Sequence, residues 1–280
     1  MLKIAMDTAG DLAPGWEQEY QIDLIPINII HGEKSYLQGI DLKYEDFYKL
    51  VDTSGTIPST SQPTPYQFVE FYRRIAKKGD TVLSIHVTEK LSGTVASAKE
   101  AAKELKGEID VLPIDSASGT ISMGMMCKEA RIMERAGAKL DEILERMDFI
   151  RRNMHLTAAL DTLKYARLSG RVKYLQAALA SVLQVKPIIE LREGIIEITE
   201  KVRSRAKSID RVLNIMEEKL HGKKIHAGVV HARDASSGKE LLQKVVQRFD
   251  CVEASLSELS ISLAAHFGPG AVVLAAYPVK

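Results

Sequence analysis

The sequence is short of the residues that most often announce a function. Its 280 residues hold two cysteines, Cys127 and Cys251. They lie far apart and without metal-ligand spacing, so neither a disulfide framework nor a zinc site is expected, and both read as small buried hydrophobes of a reducing compartment. Charge of one sign is not in excess: 38 Lys and Arg stand against 37 Asp and Glu. That balance offers no global basicity for nucleic acid and no acidic surplus for disorder. Long hydrophobic runs are missing too. The longest uncharged run, 259–279, is interrupted by His266 and by Gly268-Pro269-Gly270, and YLQAALASVLQV between Lys173 and Lys186 is too short to span a bilayer. The opening MLKIAMDTAGD is not a signal peptide, because its apolar run stops at Asp7. A cytoplasmic, soluble protein is the expectation. Finally, there is no G-x-x-x-x-G-K-[ST], G-x-G-x-x-G, G-x-S-x-G or H-E-x-x-H, which removes the simplest nucleotide-binding, serine-hydrolase and zinc-protease readings.

What is present is a hydrophobic content of 45%, ample for one large or two modest cores. Strand-like and helix-like stretches alternate. LKIAMD (2–7), DLIPINII (23–30), TVLSIHV (81–87) and IDVLPID (109–115) read as strands, and 42–51, 63–78, 91–105, 119–136 and 139–152 as helices. This alternation predicts an α/β fold, with a mostly parallel sheet flanked by helices over 1–156. The character then changes. KPIIEL and IIEITEKV, joined by Arg192-Glu193-Gly194, read as a hairpin among further helices and strands. An α+β domain over 157–280 is expected.

Four loops draw notice. PSTSQPTP (58–65) sets a stiffened hydroxyl cluster, with Thr60 and Ser61, at what reads as a helix start. LSGT (91–94) sets Ser92, Gly93 and Thr94 at another, directly after a buried-type strand. Such hydroxyls either cap the helix or, at the carboxyl ends of parallel strands, join the free amides in holding an anion. His266 before Gly268-Pro269-Gly270 is either a buried structural histidine or a donor to a carboxylate. Arg167, Arg171 and Lys173, and again Lys201, Arg203, Arg205 and Lys207, form basic runs that are either solvated faces or surfaces for an acidic partner.

Taken in order, DTAGDL, PSTSQPTP, LSGTVASA, DSASGTISMG, LSGRV, KPIIELREG and HFGPG resemble the DegV family over essentially the whole chain. The resemblance implies a two-domain DegV-like fold with one long-chain fatty acid between the domains. It also implies a binding subunit rather than an enzyme: a separate ATP-binding subunit of a bacterial fatty acid kinase would phosphorylate the presented carboxylate. No cofactor and no metal are implied. Thr60 and Ser92 would hydrogen-bond the carboxylate, Ser61 and Gly93 would add backbone N–H groups, and His266 would close the site. Candidates for the acyl-chain lining are Ile27, Ile29, Met123, Met126, Leu160, Leu163, Ile189 and Phe267. Arg171 is the first candidate for docking the kinase subunit and Arg203 the second, with transient contact to a membrane surface and none with nucleic acid. This chain departs from the family pattern at Thr88-Glu89-Lys90, where a hydroxyl is replaced by charges, at Phe267, where a small residue is usual, and at Ser169, where a second glycine is usual. A hydrolase, or a small-molecule kinase component, using His266 is the competing reading.

Overall fold

Four apolar stretches, each ending where the polar loops begin, build the first sheet. The computed structural model describes residues 1–168 and 185–280, and the chain divides into two units, Met1–Arg152 and Asn153–Lys280. In the first, β1 (Leu2–Asp7), β2 (Ile22–Ile25), β6 (Thr81–His86) and β7 (Asp110–Asp115) form an all-parallel sheet in the order β2-β1-β6-β7. A parallel sheet is covered on both faces, which is why its strands read as continuous apolar runs. On one face α3 (Pro65–Ile75) and α4 (Thr94–Glu104) pack Phe68, Phe71, Tyr72, Ala98 and Ala101 against Ala5 and Val82. On the other, α5 (Ile121–Arg135) packs on β1 and β6. Arg131 of α5 donates to the carbonyls of Leu2, Tyr20 and Gln21, tying the helix to the opposite end of the sheet.

The approach of α5 depends on one missing side chain. A Cβ on Gly124 would lie 2.2 Å from the Asp11 carbonyl oxygen and 3.0 Å from a Leu12 methyl. Backbone cannot yield to it as a flexible side chain can, so glycine lets the helix sit against the loop that follows β1.

The stretch 23–30, expected to be one strand, is two. Pro26 carries no amide proton and cannot continue a ladder. The chain therefore leaves the large sheet at Ile25 and enters a small antiparallel sheet of β4 (Lys34–Leu37), β3 (Asn28–His31) and β5 (Ser59–Ser61). Neither β4 nor β5 was expected, since both are short and polar and their pairing is decided by non-local contacts. The helix expected from 63 starts at Pro65. Thr64 is its N-cap, and Gln67 closes a capping box in which Thr64 Oγ1 accepts from Gln67 N and Gln67 Oε1 from Thr64 N. α2 (Tyr44–Ser54) and α6 (Leu140–Asn153) complete this unit with a short α1 (Trp16–Glu19).

The second unit is a six-stranded mixed sheet. β8 (His155–Ala159), β9 (Lys186–Arg192), β10 (Ile195–Val202), β11 (Ile225–His231), β12 (Cys251–Glu258) and β13 (Val272–Pro278) run in the order β10-β9-β8-β13-β11-β12. The expected β9–β10 hairpin is present. Its turn residues Glu193 and Gly194 have φ of 49° and 80°, the left-handed pair that matches the twist of a two-residue hairpin. One face is covered by α8 (Arg205–Leu220) and α9 (Ala235–Arg248), whose Ile209, Val212, Met216, Leu241 and Val245 pack on Ile225, Ala227, Val229 and Leu274. α7 (Lys164–Leu168) and α10 (Ile261–Phe267) pack on each other.

Two expectations follow. Gly124→Ala drives a methyl into backbone, and urea unfolding is expected to show a loss of about 2–3 kcal/mol; an unchanged midpoint would mean that α5 can retreat freely. His155 and His231 are both held below the ordinary histidine value, chiefly by burial, with Lys219 adding to the effect at His155. The unfolded chain then takes up protons that the folded chain refuses, so stability falls as pH drops through about 6.5. The thermal midpoint is expected to decline from about pH 7.5 to about pH 5.5, and less steeply in His155→Gln.

Candidate functional site

The carboxyl ends of parallel strands gather the polar loops of the first unit. β1 runs into DTAGDL, β6 into VTEKLSGT and β7 into SASGT, the geometry in which α/β sheets collect ligands. These loops are fastened to one another by main-chain bonds. Thr88 N donates to the Ser118 carbonyl at 2.8 Å, Thr120 N to the Ala9 carbonyl at 2.9 Å, and Ser92 N to the Thr88 carbonyl at 3.2 Å.

The loop after β6 ends in a hydroxyl pair at the head of α4. Ser92 Oγ and Thr94 Oγ1 are 2.7 Å apart, and Thr94 N donates to Ser92 Oγ at 3.3 Å. Thr94 is wholly buried and Ser92 half-buried. The pair has two hydroxyl protons and one mutual bond. Where Thr94 donates the mutual bond to Ser92 Oγ, the Ser92 proton remains for a group arriving from outside. Gly93 is the N-cap and contributes no side chain, so beyond the Thr94 amide, which Ser92 Oγ takes up, the next amides of α4 receive no side-chain cap from it at the positive end of the helix. Hydroxyl, amides and dipole together suit an anionic oxygen.

The TSQP segment meets this loop. Thr60 and Ser61 are in β5, opposite Ile29 and Asn28 of β3. They are therefore strand residues and not part of a helix cap, a role that falls to Thr64. Gln62, the next residue, reaches Gly93: a Cβ there would be 2.5 Å from Gln62 Nε2. Asn28 Nδ2 donates to the carbonyls of Ser61, at 3.4 Å, and Gln62, at 3.2 Å, while its Oδ1 accepts from Gln67 Nε2 at 3.4 Å. Thus Gln62 is brought to Gly93, with Ser61 and Thr60 preceding it in β5. All four candidates, Thr60, Ser61, Ser92 and Gly93, are half-buried. Glu89 and Lys90, the unusual charges, are exposed, and Glu89 pairs with Lys99 at 3.6 Å.

The remaining head-group candidate belongs to the second unit. His266 stands half-buried in the last turn of α10, with Phe267 after it. The turn that follows requires glycine twice over at Gly268. Its φ is 76°, and a Cβ would fall 2.4 Å from the Tyr165 ring of α7. That ring fixes where α10 ends and so where His266 stands.

Of the lining candidates, Ile27, Ile29, Met123, Met126, Leu160, Leu163 and Ile189 are buried. Arg203 is exposed, and Arg171 lies outside the described residues. Among the described residues no group of histidines, cysteines and carboxylates could hold a metal, and no helix is long and apolar enough to cross a membrane. Sequence reasoning missed Asn28 and Gln67, whose amides lace β3, β5 and α3 together, and Gln62, whose side chain lies against Gly93; of these only Gln62, inside TSQP, carried a signal. It also missed a buried chain of Tyr72, Ser84, His86 and Asp7 beneath the loops.

Comparisons with known proteins agree over the full length. The model of the DegV family, described as "Uncharacterised protein, DegV family", matches residues 1–279. A DegV domain-containing protein of Listeria monocytogenes is 30% identical over 98% of this chain and 97% of its own. Among solved structures, a DegV family protein from Thermus thermophilus, described as fatty-acid-binding, superposes with a TM-score of 0.91 at 28% identity, covering 99% of both chains. DegV from Bacillus subtilis, described as a fatty acid binding protein, does so with a TM-score of 0.87 at 26% identity, again over 99% of both. With its α/β sheets, its loops and its full-length match to that model, this chain belongs to the DegV family.

Proposed function

We propose that this protein binds one long-chain fatty acid and, without catalysing a reaction itself, presents the carboxylate to a separate ATP-dependent kinase subunit. The observation that carries the binding reading is the half-buried Ser92 hydroxyl at the head of α4, backed by Thr94 and followed by Gly93, against which the Gln62 side chain of TSQP lies. In this reading Thr60 and Ser92 donate to the carboxylate, Ser61 and Gly93 offer main-chain amides, and His266 adds a donor from the second unit. The acyl chain lies among Ile27, Ile29, Met123, Met126, Leu160, Leu163, Ile189 and Phe267. The fatty acid binding described for the Thermus and Bacillus relatives supports this. No cofactor or metal takes part.

The energetics divide between the two ends of the ligand. Each buried methylene contributes about 0.8 kcal/mol, so about fourteen of them give a gross of about 11 kcal/mol, much of it offset by association and ordering. The chain supplies affinity and the head group orientation. Neutral hydroxyls and amides hold the carboxylate without a bidentate guanidinium, so its oxygen keeps the nucleophilicity needed to attack a γ-phosphoryl group. Arg171, or failing it Arg203, docks the kinase subunit; contact with a membrane surface is transient, and the protein works in the cytoplasm.

Native mass spectrometry of the purified protein, followed by lipid extraction, tests the binding. One added mass matching a long-chain fatty acid is expected. Ser92→Ala and His266→Ala are each expected to weaken oleate binding about tenfold or more, the loss of one hydrogen bond to a charged group. A protein that arrives empty and refuses both palmitate and oleate would sink this reading. Presentation is tested separately: acyl phosphate, trapped as hydroxamate, is expected only when ATP and a fatty acid kinase ATP-binding subunit are both added, and its formation by this chain with ATP alone would contradict the division of labour.

A further inference from the structure

Beneath the polar loops runs a chain of hydrogen bonds that head-group binding does not use directly. Tyr72 on α3 donates its hydroxyl to Ser84 Oγ at 2.9 Å. Ser84 Oγ is 2.8 Å from His86 Nε2, and His86 Nδ1 is 3.1 Å from Asp7 Oδ2. All four residues are 0% exposed. The donors run in one direction. The carboxylate can only accept, so the imidazole proton sits on Nδ1; in that neutral tautomer Nε2 is an acceptor, and Ser84, which accepts from Tyr72, gives it its own proton. The Phe68 ring stands edge-on to the imidazole at 5.1 Å and closes the space around it.

The order Ser84, His86, Asp7 is that of a hydrolase triad. No substrate can reach it, because the serine is sealed and its oxygen is engaged by Tyr72. What the chain does reach is main chain. Asp7 Oδ2 accepts from Val87 N at 2.9 Å, and Asp7 Oδ1 from Ala9 N at 2.9 Å. Val87 precedes Thr88, whose carbonyl receives Leu91 N and Ser92 N, both at 3.2 Å. Ala9 supplies the carbonyl that receives Thr120 N. One carboxylate therefore fixes the start of the loop that ends in Ser92 and the start of the loop after β1, each by one oxygen, with the imidazole holding its orientation.

We propose that Asp7 and His86 are positioning residues for the carboxylate site: they set the place of Ser92 through Val87 and Thr88 without touching the ligand. The inference rests on the fatty-acid reading for its ligand and on the bonds above for its brace. The sharpest probe is Asp7→Asn, which keeps the size but turns an amide N–H toward one of the two main-chain N–H groups.

The experiment measures oleate affinity for the full chain as wild type, Asp7→Asn, Ser92→Ala and the double variant, with amide hydrogen exchange on each. Asp7→Asn is expected to weaken oleate about tenfold, equivalent to about 1.4 kcal/mol. If it acts through Ser92, adding it to Ser92→Ala changes affinity by no more than about twofold, the non-additivity of coupled sites. Exchange is expected to speed up over 87–92 and 8–10 while α8 and α9 stay protected. Additive losses, or an Asp7→Asn protein that binds oleate within about twofold of wild type, would overturn the proposal, because a merely stabilising residue lowers the melting point and leaves Ser92 where it is. Should Asp7→Asn fail to fold, His86→Gln and Ser84→Ala carry the same comparison. If wild type itself takes up no oleate, the fatty-acid reading fails on its own, and the exchange arm still decides the brace: unchanged protection over 87–92 in Asp7→Asn overturns it.

Discussion

A carboxylate buried away from the surface must find its partners inside the protein, and Asp7 governs much of the first unit for this reason. Burying such a group without partners is prohibitive. Here its oxygens receive two main-chain amides and an imidazole. The same carboxylate and its desolvated surroundings push the Cys127 thiol far up, burial being the larger cause, and burial does the same to the Tyr72 phenol. The loops that carry the hydroxyls are consequences of this arrangement. They begin at residues whose amides are already spoken for, and they bond to one another along 88–92, 116–120 and 8–10.

The first sheet was legible because its strands are apolar throughout and its helices follow with regular spacing. Its helices shifted only at their ends, as at α3, where the Thr64–Gln67 capping box and Pro65 outweigh the earlier Pro63. What could not be read were the elements whose existence depends on distant pairing. β5 is Ser-Thr-Ser, a sequence with no strand signal of its own, and it is a strand because β3 lies beside it. The split of 23–30 into two sheets was written in Pro26, yet the apolar residues on both sides hid it.

The candidate site was proposed from its serines, threonines and glycines, while the groups that support them were illegible. Ser92, Thr60 and His266 stood out as residues in family motifs. Asn28 and Gln67 are single amides in ordinary stretches, and nothing marks them until the chain is folded. Asp7 and His86 are 79 positions apart, and each alone looks like a polar residue closing a strand. Gly268 was visible as a turn residue, but its closeness to Tyr165 follows only from the packing of α7 against α10.

The crossing at Pro26 has a bearing on binding kinetics. Two residues separate β2 from β3, and the second, Ile27, gives its amide to Thr8 Oγ1 at 2.8 Å and accepts at its carbonyl from Gln38 N at 3.0 Å. Gln38 Nε2 in turn donates to the Thr8 carbonyl at 2.6 Å. The small sheet is stitched to the large one rather than hung from it, so Thr60 inherits the stiffness of the parallel core. On the proposed fatty-acid reading, a ligand meeting it orders little chain, and the association rate is then set by access of the acyl tail and not by the folding of a loop.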